Sequence, residues 1–181
     1  MANISLSGQK KSIESVFSWY EDQIEAINDF KNKVITSIIH PRPSLVVNKK
    51  FISLTLTEIN LYFDNSTNEL KHLVCLNLIS ATEAFLRVDY YKRIKKRERS
   101  KIGRLFRDIE NNKENKVSLE DDIIEAWKSI KRSNSFSDFL GLLKYRHWLA
   151  HGRYWTPKLG REYSFDIAYE IVENVFKAVS K

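Results

Sequence analysis

The sequence predicts an all-α protein: a helical bundle led by one long N-terminal helix, with a single short β excursion near residues 51–56. Three observations carry this. Apolar residues recur every three or four positions over several long stretches, which is the period of an amphipathic helix. Five Gly and three Pro leave little material for a turn-rich all-β fold. A chain of 181 residues with 43% apolar and 12% aromatic content has enough to bury a core.

Taken in order, Ile13, Phe17, Tyr20, Ile24, Ile27, Phe30, Val34 and Ile38 form one apolar stripe. His40-Pro41-Arg42-Pro43 ends it. FISLTL at 51–56 alternates and is rich in β-branched residues, which reads as a short strand; Thr55 or Thr57 could equally cap a short helix running into Phe63. Asp64-Asn65-Ser66-Thr67 reads as a turn cluster. Beyond it Leu70, Val74, Leu78, Ala81, Phe85, Val88 and Tyr91 resume the helical period, and Leu73, Leu76, Ile79 and Leu86 add apolar faces to the middle of that helix. A shorter helix is expected near Ile102–Ile109, then a polar loop, ENNKENK. Ser118 with Asp121 resembles a capping box for a helix through Ile130. Ser135 or Ser137 caps the next helix, which carries RHWLAH and meets Gly152 as its C′ residue. Tyr154-Trp155-Thr156-Pro157 breaks the chain, and Ser164 opens a last helix with Ile167, Ile171, Val175 and Val179 on one face. No repeat and no long linker divides the chain. The expectation is one domain over 1–181, with 1–65 as an N-terminal arm and 66–180 as the core.

Cys75 stands alone in LVCLNLI and has no disulfide partner, so a buried, inert thiol in a reducing compartment is expected. The first residues, MANISLSGQKK, show neither an apolar signal region nor a small-residue cleavage site. No apolar run approaches the ~20 residues that span a bilayer. A cytoplasmic protein without membrane partners is the expectation.

The net charge of +7 is concentrated. Residues 86–107 hold Arg87, Lys92, Arg93, Lys95, Lys96, Arg97, Arg99, Lys101, Arg104 and Arg107 against Asp89 and Glu98 alone. This excess of eight exceeds the charge of the whole chain. Such a patch suits a polyanion such as RNA, and a solvated helix end is the plainer alternative.

For chemistry, the chain has no phosphate-cradling GxxxxGK[ST] loop, no GxGxxG turn and no GxSxG elbow. No cofactor is therefore expected. His72 and Cys75 have the gap of half a zinc site, but one Cys with no second pair cannot supply four ligands, and no metal is expected. Phosphodiester cleavage without metal remains open for RNA, whose 2′-hydroxyl is an internal nucleophile. It needs a proton acceptor, a proton donor and a cation over the developing charge. Histidine and arginine supply these. Arg146 and His151 stand five residues apart in RHWLAHGR, with His147 between them and Arg153 beyond. A bare R-x4-H is a weak signal, with about 0.24 chance matches in a chain of this composition. On an ideal helix the two side chains also lie about 140° apart. They converge if the helix end loosens, if the Arg curls round, or if a second subunit completes the site. Trp148, Tyr154 and Trp155 either stack on bases or pack in a core or interface.

YRHWLAHGRYW resembles the R-x4-6-H motif of the HEPN superfamily (higher eukaryote and prokaryote nucleotide-binding domains). Those are small all-α bundles, many of them metal-independent RNases. The likeness includes the polar residue after the Arg, the small residue after His151, and the order of the buried ATEAFLR helix and the later motif helix. It is specific over about residues 144–156, and the long N-terminal helix lies outside the pattern. The resemblance implies catalysis by Arg146 and His151, with His147 positioning the Arg. It also implies a homodimer in which two motifs face each other. Glu83 lies where HEPN helices often carry an acidic residue near the site; an i,i+4 pair with Arg87 is its alternative. Arg153, Lys92, Arg93, Lys95, Lys96, Arg97, Arg99 and Lys101 would bind RNA. The implied function is endoribonuclease, as a toxin or host-defence effector with a neutralising antitoxin protein. The competing reading is a HEPN-fold module that binds RNA or protein without cutting.

Overall fold

The computed structural model describes residues 11–40, 48–113, 116–131 and 133–180. Among the described residues the helical periodicity becomes six α-helices: α1 (Ile13–Ile39), α2 (Leu56–Lys95), α3 (Lys101–Lys113), α4 (Glu125–Ile130), α5 (Ser135–Ala150) and α6 (Phe165–Ser180). A 3₁₀ turn at Lys49–Phe51 precedes α2, and a π-helical turn at Leu119–Ile124 runs into α4. No strand occurs among the described residues, so the fold is all-α.

The β excursion is replaced by a helix start. Thr55 Oγ1 accepts from Glu58 N–H at 3.3 Å, while the Glu58 carboxylate accepts from Thr55 N–H and Oγ1 at 2.8 Å each. That reciprocal capping box opens α2, which runs 40 residues, about 60 Å. Alternation in FISLTL fails as a strand signal because Ile52 is 72% exposed while Phe51 is fully buried. The expected turn at 64–67 is also absent. Ser66 returns its hydroxyl to Tyr62 C=O at 2.9 Å, and Asp64 faces Lys31 at 3.6 Å, so the polar cluster is absorbed inside α2.

Other boundaries shift by a few residues. α1 stops at Ile39, with Pro41, Arg42 and Pro43 outside the described residues. Glu110–Lys113 of the expected loop are helical, and residues 114 and 115 lie outside the description. Asn134, not Ser135 or Ser137, occupies the cap of α5. Ser164 caps α6, accepting from Ile167 N–H at 3.3 Å.

The described residues separate into two units, with a boundary inside α2 at Val74 and Cys75. In the unit over Glu14–Val74, Val34, Phe51, Ile59 and Phe63 form the core, with Ile27, Ile35, Ile38 and Leu54 packed against it. Phe51 stacks on Phe63 at 5.8 Å and meets Phe30 edge-on at 5.8 Å. In the unit from Cys75 onward a relay of buried rings fixes the helices. Tyr90 of α2 meets Phe106 of α3 at 4.8 Å, Phe106 meets Trp127 of α4 at 6.1 Å, and Trp127 stacks on Phe136 of α5 at 5.8 Å. Phe85 of α2 stacks on Phe176 of α6 at 4.0 Å. These contacts join α2 to α3, α4, the start of α5 and α6, and α5 carries the motif at its far end. No helix among the described residues is long and apolar enough to cross a membrane.

Candidate functional site

α5 buries Phe136, Phe139, Leu142, Leu143 and Tyr145. Its remaining face carries Arg146 and His147, which are only partly covered or exposed. The helix closes as the sequence suggests. His151 is the C-cap, Gly152 follows at φ 78°, and Arg153 adopts φ 58°. Gly152 N–H reaches Leu149 C=O at 3.4 Å and Arg153 N–H reaches Trp148 C=O at 3.2 Å, the two bonds of a Schellman end. Trp148 Nε1–H donates to Trp155 C=O at 2.7 Å and straps the following loop to the helix. The half-buried Trp148 thus packs and braces, with its ring 5.9 Å from Tyr145. Tyr154 is 84% exposed.

Arg146 meets Glu83 of α2, with Nε 3.3 Å from Oε1. The approach is an ion pair by distance, but it lacks hydrogen-bond alignment, so both atoms are buried without a hydrogen-bond partner. Burial raises the Glu83 carboxyl above its ordinary range, and the positive charges of Arg146 and Arg87 only partly oppose this. Glu83 thus faces an arginine on another helix, in addition to its local neighbour Arg87. A groove of about 290 Å³ surrounds the pair, lined also by Arg87, Ser118, Leu119, Glu120, Leu143 and His147.

His147 borders a second cleft of about 290 Å³, formed with Glu120, Leu143, Lys144, Trp155, Pro157, Lys158 and Leu159. Its ring centroid lies 4.3 Å from that of His151 and 5.9 Å from that of Trp155. The structure therefore gathers Glu83, Arg146 and His147 at one groove, and His151 stands beside His147 outside that lining. The expected role of His147 next to Arg146 acquires a different neighbour, since its ring packs on His151.

The wall formed by Ser118–Glu120 comes from the π-helical turn, in which Ile123 N–H reaches Ser118 C=O at 3.2 Å. Ser118 Oγ accepts from Asp121 N–H at 3.2 Å as expected, but the carboxylate returning to Ser118 N–H is Asp122, at 2.8 Å. Asp122 is buried and also accepts from Lys113 Nζ at 2.6 Å. Burial alone would raise its acid, but the Lys113 and Ser118 bonds outweigh that and hold it below the usual carboxylate range.

In the basic run, Lys92, Lys95, Lys96, Arg97, Arg99 and Lys101 are exposed, as is Arg153 beyond the motif. Arg93 differs. It pairs with Asp89 at 2.8 Å and Glu98 at 2.7 Å and lies over the Trp127 ring at 5.1 Å, so it braces the α2–α3 corner rather than facing solvent. α2 ends in a second Schellman arrangement with Arg97 at φ 49°. Cys75 is buried and its thiol is pushed up to about 12 by that burial.

Arg87, Glu120, Lys144 and Lys158 join the site without a motif to announce them. Arg87 alone carried a signal, as the first cation of the basic run. Among the described residues no three His, Cys, Asp or Glu side chains gather as a metal-holding group. No protein-family model matches the chain, and neither does any curated protein or solved structure.

Proposed function

We propose that the protein is a metal-independent endoribonuclease of the HEPN type, acting at the end of α5. The observation that supports this most is the grouping of a guanidinium and two imidazoles. Arg146 and His147 line one groove, and the His151 ring lies 4.3 Å from that of His147. Arginine presents fixed donors to phosphate oxygens, and imidazole exchanges protons near neutral pH. In the reaction the 2′-oxygen attacks phosphorus and loses its proton. The bond from phosphorus to the 5′-oxygen breaks, and that oxygen gains a proton. The products are a 2′,3′-cyclic phosphate and a free 5′-hydroxyl. His151 serves the proton transfers, Arg146 steadies the phosphorane charge, and Glu83 and His147 set the geometry around them. A facing copy in a homodimer completes the composite site. The exposed cations from Lys92 to Lys101, with Arg153, hold the RNA backbone. A toxin or host-defence role with a neutralising antitoxin protein belongs to the same reading. It rests on the resemblance of residues 144–156.

The test is cleavage of labelled RNA in EDTA. Wild type should cut, leave cyclic phosphate ends, and spare DNA of the same sequence. His151→Ala and Arg146→Ala should each lose at least ~100-fold in rate. RNA affinity should fall far less in the His variant, because neutral imidazole adds little to phosphate binding. A folded His151→Ala protein that cuts as fast as wild type, or cutting that EDTA abolishes, overturns the mechanism. Binding without cutting would instead favour the RNA-binding module, a reading to which the exposed basic run also lends itself.

A further inference from the structure

The second cleft carries chemistry that the cleavage reaction does not use. We infer that it holds a nucleobase of single-stranded RNA beside the cleaved phosphate, with Lys144 and Lys158 on a neighbouring phosphate and Glu120 reading the base edge. This rests on the ribonuclease reading and deepens it.

Adjacency is the first argument. His147, Glu120 and Leu143 line both the Arg146 groove and the second cleft, so a chain crossing the first enters the second without a gap. The walls suit a flat ring. Trp155, Pro157, Leu159 and Leu143 give the cleft apolar lining, and the space of about 290 Å³ is at the small end of ligand sites, which run from roughly 300 Å³. Base-on-aromatic stacking needs such a platform and tolerates sequence. The platform is also braced. The Trp155 carbonyl is held by Trp148 Nε1 at 2.7 Å, and the Trp155 ring centroid lies 5.9 Å from that of His147. A base on Trp155 therefore abuts the imidazole pair.

Charge completes the case. Lys144 and Lys158 are exposed cations on the rim, matched to phosphate. Glu120 carries a carboxylate that, when ionised, only accepts hydrogen bonds. Cytosine and adenine present an amino donor where uracil presents a carbonyl acceptor. A carboxylate at the base edge therefore favours the amino-bearing bases and disfavours uracil.

The test measures binding apart from cutting. Short RNA oligonucleotides with 2′-O-methyl substitution at each nucleotide cannot cyclise, and their Kd is read by anisotropy for cytosine-, adenine- and uracil-containing sequences. Unmodified versions are followed for cleavage in parallel. Trp155→Ala should weaken binding by about 5- to 100-fold and raise KM. Trp155→Phe, which keeps a flat ring, should recover most of the loss and guards against a folding artefact. Lys144→Ala with Lys158→Ala should weaken all sequences alike and flatten the salt dependence. Glu120→Gln should level the preference against uracil, because an amide can both donate and accept. If wild type cuts while folded Trp155→Ala binds normally and Glu120→Gln leaves the base preference unchanged, the cleft assignment falls and the ribonuclease reading stands. If wild type neither binds nor cuts RNA, both fall.

Discussion

Gly103, in the first turn of α3, is a sensitive test of how the basic corner is built. A Cβ there would stand 2.6 Å from the Glu98 carbonyl oxygen and 3.0 Å from Glu98 Cβ, where ordinary contact begins at 3.4 Å. Something must move by roughly 0.8 Å, and the obstacle is backbone rather than a swinging side chain. The same carbonyl accepts from Arg107 Nη1 at 2.6 Å, and the Glu98 carboxylate accepts from Arg93 at 2.7 Å. Gly→Ala in a helix ordinarily gains roughly 0.5–1 kcal/mol. Overpacking costs about 1–3 kcal/mol, and a displaced carbonyl puts a charge-assisted bond of about 1.5–3 kcal/mol at risk. The costs outweigh the gain, and Gly103→Ala should lose about 1–3 kcal/mol. For a chain of this size that is a fall in Tm of roughly 2–4 °C per kcal/mol. Urea and thermal unfolding followed by circular dichroism would measure it. Gly160→Ala is the control, since Gly160 has φ 76° with open space around it and should show only the left-handed strain, about 1–2 kcal/mol. A Gly103→Ala protein as stable as wild type would refute this account of the corner.

Three further outcomes follow from the geometry. Asp122→Asn removes the charge that pairs with Lys113 and leaves one accepting oxygen where Lys113 and Ser118 N–H now use two, and should cost roughly 1.5–3 kcal/mol. Because the Asp122 acid is held low, its contribution is present above the ordinary carboxylate range and lost as pH falls, so melts in increasing acid should show the gap to wild type closing. Glu83 has the opposite sign. Its acid is raised chiefly by burial, so its contribution is present in acid and lost as pH rises. The Tm of Glu83→Gln relative to wild type should therefore increase between about pH 4 and pH 8, and a decrease would contradict the burial argument. Arg97→Gly relieves a left-handed residue at the end of α2 and should stabilise by up to about 1 kcal/mol in urea titrations; destabilisation would mean the Arg97 side chain contributes more than its strain costs.

The helices were legible because their apolar spacing is long and regular, and the end of α5 was legible because Gly152 marks it chemically. Thr55 shows where reading along the chain divides. A six-residue alternation and a Thr-x-x-Glu cap compete over the same residues, and the cap prevails because Glu58 satisfies Thr55 twice over. The 64–67 cluster misled for a related reason. Turn-forming side chains continue a helix when Ser66 bonds its own backbone and Phe63 anchors the turn in a core. At the candidate site, Arg146, His147 and His151 are local and visible. The pairing of Arg146 with Glu83 is not, since 63 positions separate them and only the packing of α5 near α2 joins them. Arg93 was counted with the solvated cations because sequence shows its charge but not the Trp127 ring beneath it.

The π-helical turn at Leu119–Ile124 amounts to a helix carrying one residue too many. It therefore differs from an α-helix in length rather than in any one side chain. Deleting a single residue within it would let the i→i+4 ladder close and would rotate the residues before the deletion by about 100° against those after it. Glu120, which now serves both clefts, would leave them, while Trp127 and the ring relay behind it could stay in place. One residue gained or lost is thus enough to give this surface its acceptor or take it away, at the expense of the buried Leu119 that would turn with it.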